Sequence, residues 1–263
     1  MKSTTISLTT IAVLCAGIAP LSRAADDSFV GKWKFNPEKS QLSGLTYKIE
    51  DAGNNKYTFK FSDFSETVSL DGSPHTTRYG NTWSVTKKGP NTFQWIRKRN
   101  GKMLTDATWT VADDGATSTY DSTETRPDGS TSHDITILKR TGGGTSGLVG
   151  IWESTEIKIG SPGMMEIAKS GTNGYSMKNP AYKEETNFKL DGKESTPKGP
   201  NVAPGTTMSA KDLGPNKMEL TYKLKGKVTE TDRFELSSDG KTLTETITYP
   251  AENKQEVDIF ERE

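Results

Sequence analysis

Side chains that could act on a substrate are few and scattered in this 263-residue chain, which has two histidines, His75 and His133, and a single cysteine, Cys15. Catalysis on a small scaffold needs a nucleophile beside a base, a metal site or a poised pair of carboxyls. His75 follows Pro74 in an expected loop and His133 opens an expected strand, so both read as solvated surface histidines. The adjacent acids Asp113-Asp114 and Glu184-Glu185 point to opposite faces if they lie on a strand and meet water if they lie on a turn. They read as surface charge. Arg97-Lys98-Arg99, just before Asn100-Gly101, reads as solvated charge at a hairpin end. The stretch Asp121-Ser122-Thr123-Glu124 lacks the glycine-centred spacing of a calcium loop. The expectation is a non-enzymatic protein with no catalytic residue, metal or cofactor.

Aromatic and aliphatic side chains on alternating positions are the better candidates for contact with a ligand. The first half offers Tyr57, Phe59, Phe61, Phe93, Trp95 and Trp109, and the second Met218, Leu220, Tyr222, Phe234 and Leu236. Rings of this size around a cavity suit a small apolar molecule, since binding pockets are concave and mostly apolar with few orienting polar groups. The same rings would also serve to fill a closed interior.

The elements that carry these residues are strands. Tyr57, Phe59 and Phe61 alternate with Thr58 and Lys60, and Met218, Leu220, Tyr222 and Leu224 alternate with Glu219, Thr221 and Lys223. A period of two marks half-buried strands. Between them stand Asp71-Gly72, Asn100-Gly101, Asp128-Gly129, Asp191-Gly192 and Asp239-Gly240, dipeptides suited to tight hairpins, which makes consecutive strands antiparallel neighbours. Only Met164 to Ser170 suggests a short turn or helix. A meander this long exposes two edges unless it closes. The expected fold is therefore all-β, as two tandem antiparallel up-and-down barrels, with an open sandwich as the alternative.

The tandem arrangement follows from an internal repeat. Phe29-Val30-Gly31-Lys32-Trp33 returns as Leu148-Val149-Gly150-Ile151-Trp152, Leu70-Asp71-Gly72 as Leu190-Asp191-Gly192, and Gly89-Pro90-Asn91 as Gly214-Pro215-Asn216. Each copy closes alike, with Ile135 to Arg140 matching Val257 to Arg262. The expected units are residues 26–140 and 148–263, and the glycine-rich stretch 141–147 has the composition of a flexible connector. It is not a phosphate loop, because no Lys-Ser/Thr pair follows it.

Lys2, the apolar run from Ile6 to Leu21 and the small-residue site Ser22-Arg23-Ala24 have the form of a cleaved export signal over residues 1–24. The run is too short and too polar for a membrane span. Leu14 before Cys15 does not fit a lipobox, so the mature chain would begin at Ala25 without cysteine. Without Lys2 and Arg23, the 34 basic residues fall to 32 against 34 acidic ones, a net charge of −2. Neither nucleic acid nor an anionic membrane surface is favoured as a partner. The outward faces are too polar for a transmembrane barrel.

In each copy a Gly-x-Trp on the first strand is matched by an arginine at the end of the last: Trp33 with Arg140, and Trp152 with Arg262. This resembles the lipocalin and calycin barrels, in which the first-strand tryptophan closes one barrel end and a basic residue packs across its indole. Trp33-Lys34-Phe35-Asn36-Pro37 with Lys39-Ser40 is similar to the opening of exported bacterial lipocalin-like proteins of undetermined function. The second copy departs from that opening, reading Trp152-Glu153-Ser154-Thr155. The resemblance implies barrel closure by Trp33, Arg140, Trp152 and Arg262, and it fixes no ligand. Taken together, the expectation is a periplasmic or secreted binding protein that holds a small apolar or amphipathic molecule in one or both barrels. The competing reading is an envelope or extracellular module with filled barrels that contacts a protein or polysaccharide.

Overall fold

The computed structural model describes residues 27–61, 64–172, 174–250 and 254–263. The expected leader, Cys15 and the start at Ala25 lie outside these residues. After a 3-10 turn at Asp27–Phe29, the first repeat supplies β1 (Gly31–Phe35), β2 (Thr46–Gly53), β3 (Lys56–Phe61), β4 (Phe64–Ser69), β5 (His75–Thr76), β6 (Thr82–Lys87), β7 (Thr92–Arg99), β8 (Lys102–Val111), β9 (Thr117–Thr125) and β10 (Thr131–Gly142). The second supplies β11 (Gly150–Lys158), β12 (Met164–Lys169), β13 (Gly174–Asn179), β14 (Glu184–Lys189), β15 (Asp191–Ser195), β16 (Thr206–Gly214), β17 (Lys217–Leu224), β18 (Lys227–Leu236), β19 (Thr242–Tyr249) and β20 (Lys254–Arg262). The segment at Met164, expected as a turn or helix, is β12: Met165 and Ile167 alternate with Glu166 and turn into the core. No described helix is long and apolar enough to cross a membrane.

The strands form two antiparallel, nearly closed ten-stranded sheets, but the sheets do not coincide with the repeats. β1 lies between β12 and β20 in the second repeat's sheet, and β11 lies between β10 and β2 in the first repeat's sheet. The two copies have exchanged their first strands, so the boundaries 26–140 and 148–263 mark the sequence repeat and not the barrels. We call the sheet of β2–β11 the first barrel and that of β1 with β12–β20 the second.

The exchange has a local cause. The stretch 141–147 is not a free connector, contrary to its composition: Thr141 and Gly142 end β10, and residues 143–149 form a short loop back to β11. Gly143 has φ 75°, and a Cβ on Gly144 would meet Val149 O at 2.5 Å. The chain leaving β10 therefore doubles back at once as β11, beside β10. Residues 36–45 and 159–163 then carry the chain from one sheet to the other. The first crossing is anchored at both ends. Gln41 bridges Val257, Ser40 Oγ accepts from Ile259 N at 2.9 Å, and Leu45 N donates to Ser154 Oγ at 3.0 Å. The motif of Asn36, Lys39 and Ser40 thus docks the crossing on β20, where Asn36 and Lys39 both reach the Glu261 carboxylate.

The tryptophan–arginine pairs are crossed as well. Arg262 lies over the Trp33 ring at 4.2 Å and Arg140 over the Trp152 ring at 4.1 Å, in place of the expected partners. Strand register explains this, since Trp33 pairs with Arg262 and Trp152 with Arg140 across neighbouring strands. Both indoles are 0% exposed, and each donates to the carbonyl four residues back, Phe29 and Leu148. Arg262 bonds the carbonyls of Gly240, Val30 and Ser28, and Arg140 those of Gly115, Val149 and Gly147.

Both barrels have their seam at the repeated Leu-Asp-Gly, where β4 and β5 are sheet edges, as are β14 and β15. Neither Asp71-Gly72 nor Asp191-Gly192 therefore joins paired strands: Gly72 N bonds Val85 O and the chain steps across to β6, and Asp191-Gly192 open β15. Asn100-Gly101 does form the expected hairpin, with φ of 49° and 77°.

Candidate functional site

The bottom of each barrel is packed around its tryptophan, and the opposite ends face each other. Tyr182 Oη, in the turn between β13 and β14, donates to Glu124 on β9 at 2.8 Å. Asp128 N donates to Ala181 O at 3.1 Å, Arg126 Nη2 reaches Ser161 O at 2.5 Å, and Phe61 meets Tyr249 with ring centroids 6.0 Å apart.

Within the first barrel, below these contacts, is a cavity of about 1000 Å³. Of the expected residues, Phe59, Phe61, Trp95 and Trp109 line it, while Tyr57 and Phe93 pack in or against the surrounding core. The alternation on β3, β7 and β8 brings these rings together: Phe59 meets Trp95 edge-on at 4.7 Å and Trp83 at 6.5 Å. Trp83, Tyr47 and Tyr120 complete the aromatic wall. Burial pushes the Tyr120 hydroxyl up to about 12. The open side of the sheet is clasped by Glu66 on β4, whose carboxylate takes His75 Nε2 at 2.8 Å and Arg78 N at 2.9 Å.

The rim is charged. Arg97 and Arg99, expected to be solvated, share the inward face of β7 with Phe93 and Trp95 and line the cavity; only Lys98 between them points out. Arg99 donates to Tyr79 O at 2.6 Å, and its guanidinium is pushed below its ordinary range by burial and by Arg97. Glu184, expected at the surface, is the half-buried counter-charge: burial pushes its carboxyl up, and Arg99 opposes that. Glu185 does face outward, taking Ser176 Oγ at 3.0 Å. Three buried donors around the cavity, Arg97 Nε, Arg99 Nε and Trp109 Nε1, have no hydrogen-bond partner among the described residues.

The second barrel is different inside. Met218, Leu220, Phe234 and Leu236 are buried in its core, with Met208, Ala210 and Leu243. Tyr222, further toward the mouth, stands among acids. Glu230 and Asp232 on β18, Glu245 on β19, and Glu256 and Asp258 on β20 all act on one another or on Tyr222 and Tyr249. The sequence reading missed them, although a signal was present: Glu245 falls between Leu243 and Ile247 on one face, and Glu230 and Asp232 share the face of Phe234 and Leu236.

His133 lies on the outer surface with its ring on Asp121 at 2.7 Å. Among the described residues, no group of three His, Cys, Asp or Glu side chains is placed to hold a metal ion. No family model matches the chain, and comparison with curated proteins and with solved structures likewise finds no match.

Proposed function

We propose that the chain is an exported, non-enzymatic binding protein that holds a small amphipathic molecule in the first barrel. One observation carries this reading: the cavity is walled by Phe59, Phe61, Trp83, Trp95 and Trp109 and rimmed by Arg97 and Arg99. Its volume is at the upper end of what drug-sized ligands occupy, roughly 300–1,000 Å³. An unsatisfied buried donor costs ~1–3 kcal/mol. Three of them around one cavity favour a ligand, or ordered water, that brings acceptors to the rim. The ligand therefore has an apolar body and an acceptor-bearing end. The lipocalin-like resemblance and the export signal support the same reading, with the periplasm or the extracellular medium as the place of action.

Native mass spectrometry of protein purified from its own host should show a co-purified small molecule. With purified protein, the anionic probe 8-anilinonaphthalene-1-sulfonate should bind saturably and quench tryptophan emission. Replacing Arg97 and Arg99 together by Gln should weaken that binding roughly tenfold or more, as loss of charge-assisted hydrogen bonds requires. Non-saturable binding, or equal affinity in the variant, would favour the filled-barrel interaction module instead.

A further inference from the structure

The second barrel contains a site that the amphipathic cavity does not explain. Its inward positions form rungs, each two residues and so roughly 6–7 Å beyond the last. The lowest rung is apolar, with Leu236 opposite Leu243 and Leu243 opposite Phe260. The next pairs Phe234 with Glu245 and Glu245 with Asp258. Above it Leu220 pairs with Asp232, Asp232 with Ile247, and Ile247 with Glu256. The rung nearest the mouth has Tyr222 opposite Glu230. Carboxyls thus occupy three successive depths, and the register places Tyr249 at the mouth as well.

None of the five acids makes an ion pair with a described side chain. Asp232 is only 5% exposed, lies on the buried face of β18 with Phe234 and Leu236, and its Oδ1 has no hydrogen-bond partner among the described residues. Glu256 receives one long hydrogen bond from Tyr249, at 3.4 Å. Burial and the neighbouring acids push the carboxyls of Asp232 and Glu245 well up, as expected where several like charges share a desolvated site. Arg97 and Arg99 belong to the opposite mouth, where Arg99 is matched by Glu184.

We propose that the second barrel binds an organic polycation, a linear molecule with two or three ammonium groups, whose charges engage the successive carboxyl rungs while Tyr222 and Tyr249 flank its entry. The spread of the acids over three adjacent strands and three depths suits an extended polyamine better than a metal ion, which would need ligands converging on one point. Aromatic rings at a cation's entry add a further attraction. The site goes beyond the proposed apolar binding and is independent of it, since it uses no residue of the first barrel's cavity.

Spermidine is the probe. Titration calorimetry on the full chain at pH 7.5 should show one site per chain, and binding should release protons, so that the measured heat changes with the buffer's ionisation enthalpy. The double variant Asp232→Asn/Glu245→Gln should bind spermidine at least tenfold more weakly. Because these isosteres relieve buried charge repulsion, the variant should fold, as near-ultraviolet dichroism can verify; should it not, Glu230→Gln takes its place. An outer-face control, Glu219→Gln/Glu235→Gln, should keep its affinity within about twofold. 1,4-Diaminobutane should bind more weakly than spermidine, and butylamine hardly at all. The inference is overturned if millimolar spermidine gives no binding heat, if the inward and outer-face variants behave alike, or if butylamine or magnesium matches spermidine. Each outcome can be read while the anionic probe still reports on the first barrel.

Discussion

Gly-x-Trp with a distant arginine is a self-consistent unit because each residue type answers to the others. A Cβ at Gly31 would lie 2.6 Å from the Arg262 guanidinium and one at Gly150 2.5 Å from that of Arg140, so the glycine is what admits the arginine head. The indole buries its ring, satisfies its N–H on the chain before it, and offers a face for the cation. The acids of the second barrel answer to nothing comparable, and this has a consequence for pH. Burial, then the neighbouring Asp258 and Glu230, puts Glu256 at about 7, and burial puts Asp258 at about 6. Tyr222 on β17, Glu230 and Asp232 on β18, and Glu245 and Tyr249 on β19 face them, and every one of these groups is acidic. With folded-state values above the ordinary carboxyl range of about 4, the folded chain holds protons that the unfolded chain releases. Stability is thus fully present below about pH 4 and declines as pH rises through about 6–7. Exposed Glu50, held down to about 2 by Lys48 and Lys60, acts with the opposite sign and only at lower pH. Melting followed by circular dichroism should fall between pH 5 and pH 8, and Glu245→Gln should flatten the slope. A melting temperature that is level or rises over this range would mean that the five carboxyls do not share a desolvated site.

At the scale of elements, the repeated Leu-Asp-Gly, expected as hairpins, marks the seams, because closure of the whole sheet decides which strands are left unpaired. Strand periodicity and the hairpin at Asn100-Gly101 were legible because they depend on residues close in sequence. The inward aromatic face of β3, β7 and β8 was legible for the same reason, and it led to four cavity residues. The exchange of first strands was not. Both copies present the same Gly-x-Trp to the same kind of arginine, so local patterns leave the choice of sheet degenerate. It is resolved by the short loop at 143–149 and by length. β1 has five residues, ended by Asn36-Pro37, whereas β11 has nine and pairs with β10 from Ile135 to Gly142. Arg97 and Arg99 were misread because charge was weighed ahead of their parity with Phe93 and Trp95. A fragment of residues 43–158, which holds β2–β11, should fold cooperatively. A fragment of 27–140 has only the short β1 to offer the place of β11 and no Trp152 for its core. Losing a buried tryptophan costs ~3–5 kcal/mol, so it should melt at least about 10 °C lower. Equal stability of the two fragments in differential scanning calorimetry would show that β1 fills the first barrel as well as β11 does.

At the scale of the whole molecule, the exchange turns a tandem repeat into one interlocked body. The glycine-rich stretch does not hold two independent units loosely together; it closes a hairpin within one sheet, and the sheets are joined by the crossings at 36–45 and 159–163. Both crossings lie at the facing mouths, where Tyr182 bonds Glu124, Arg126 reaches Ser161 and Phe61 meets Tyr249. Ile157 and Ile159 at the end of β11 and Tyr182, Glu184, Asn201 and Ala203 from the second barrel line the first barrel's cavity, so neither barrel completes that cavity alone. Unfolding the second barrel releases β1 and strips the lid from the first; unfolding the first frees β11 and both crossings. The two should therefore melt together. Trp33→Ala removes an indole that is 0% exposed from the second barrel's core, at a cost of ~3–5 kcal/mol. For a chain of this size each kcal/mol lowers melting by ~2–4 °C. The full chain should then show one calorimetric transition, with equal calorimetric and van't Hoff enthalpies, and the variant should show that transition shifted down as a whole by roughly 10 °C. Affinity of the anionic probe for the first barrel should disappear over the same temperature range, although Trp33 touches no part of its cavity. Two resolved transitions, with only one moved by Trp33→Ala, would mean that the exchanged strands join the barrels in chain path but not in energy.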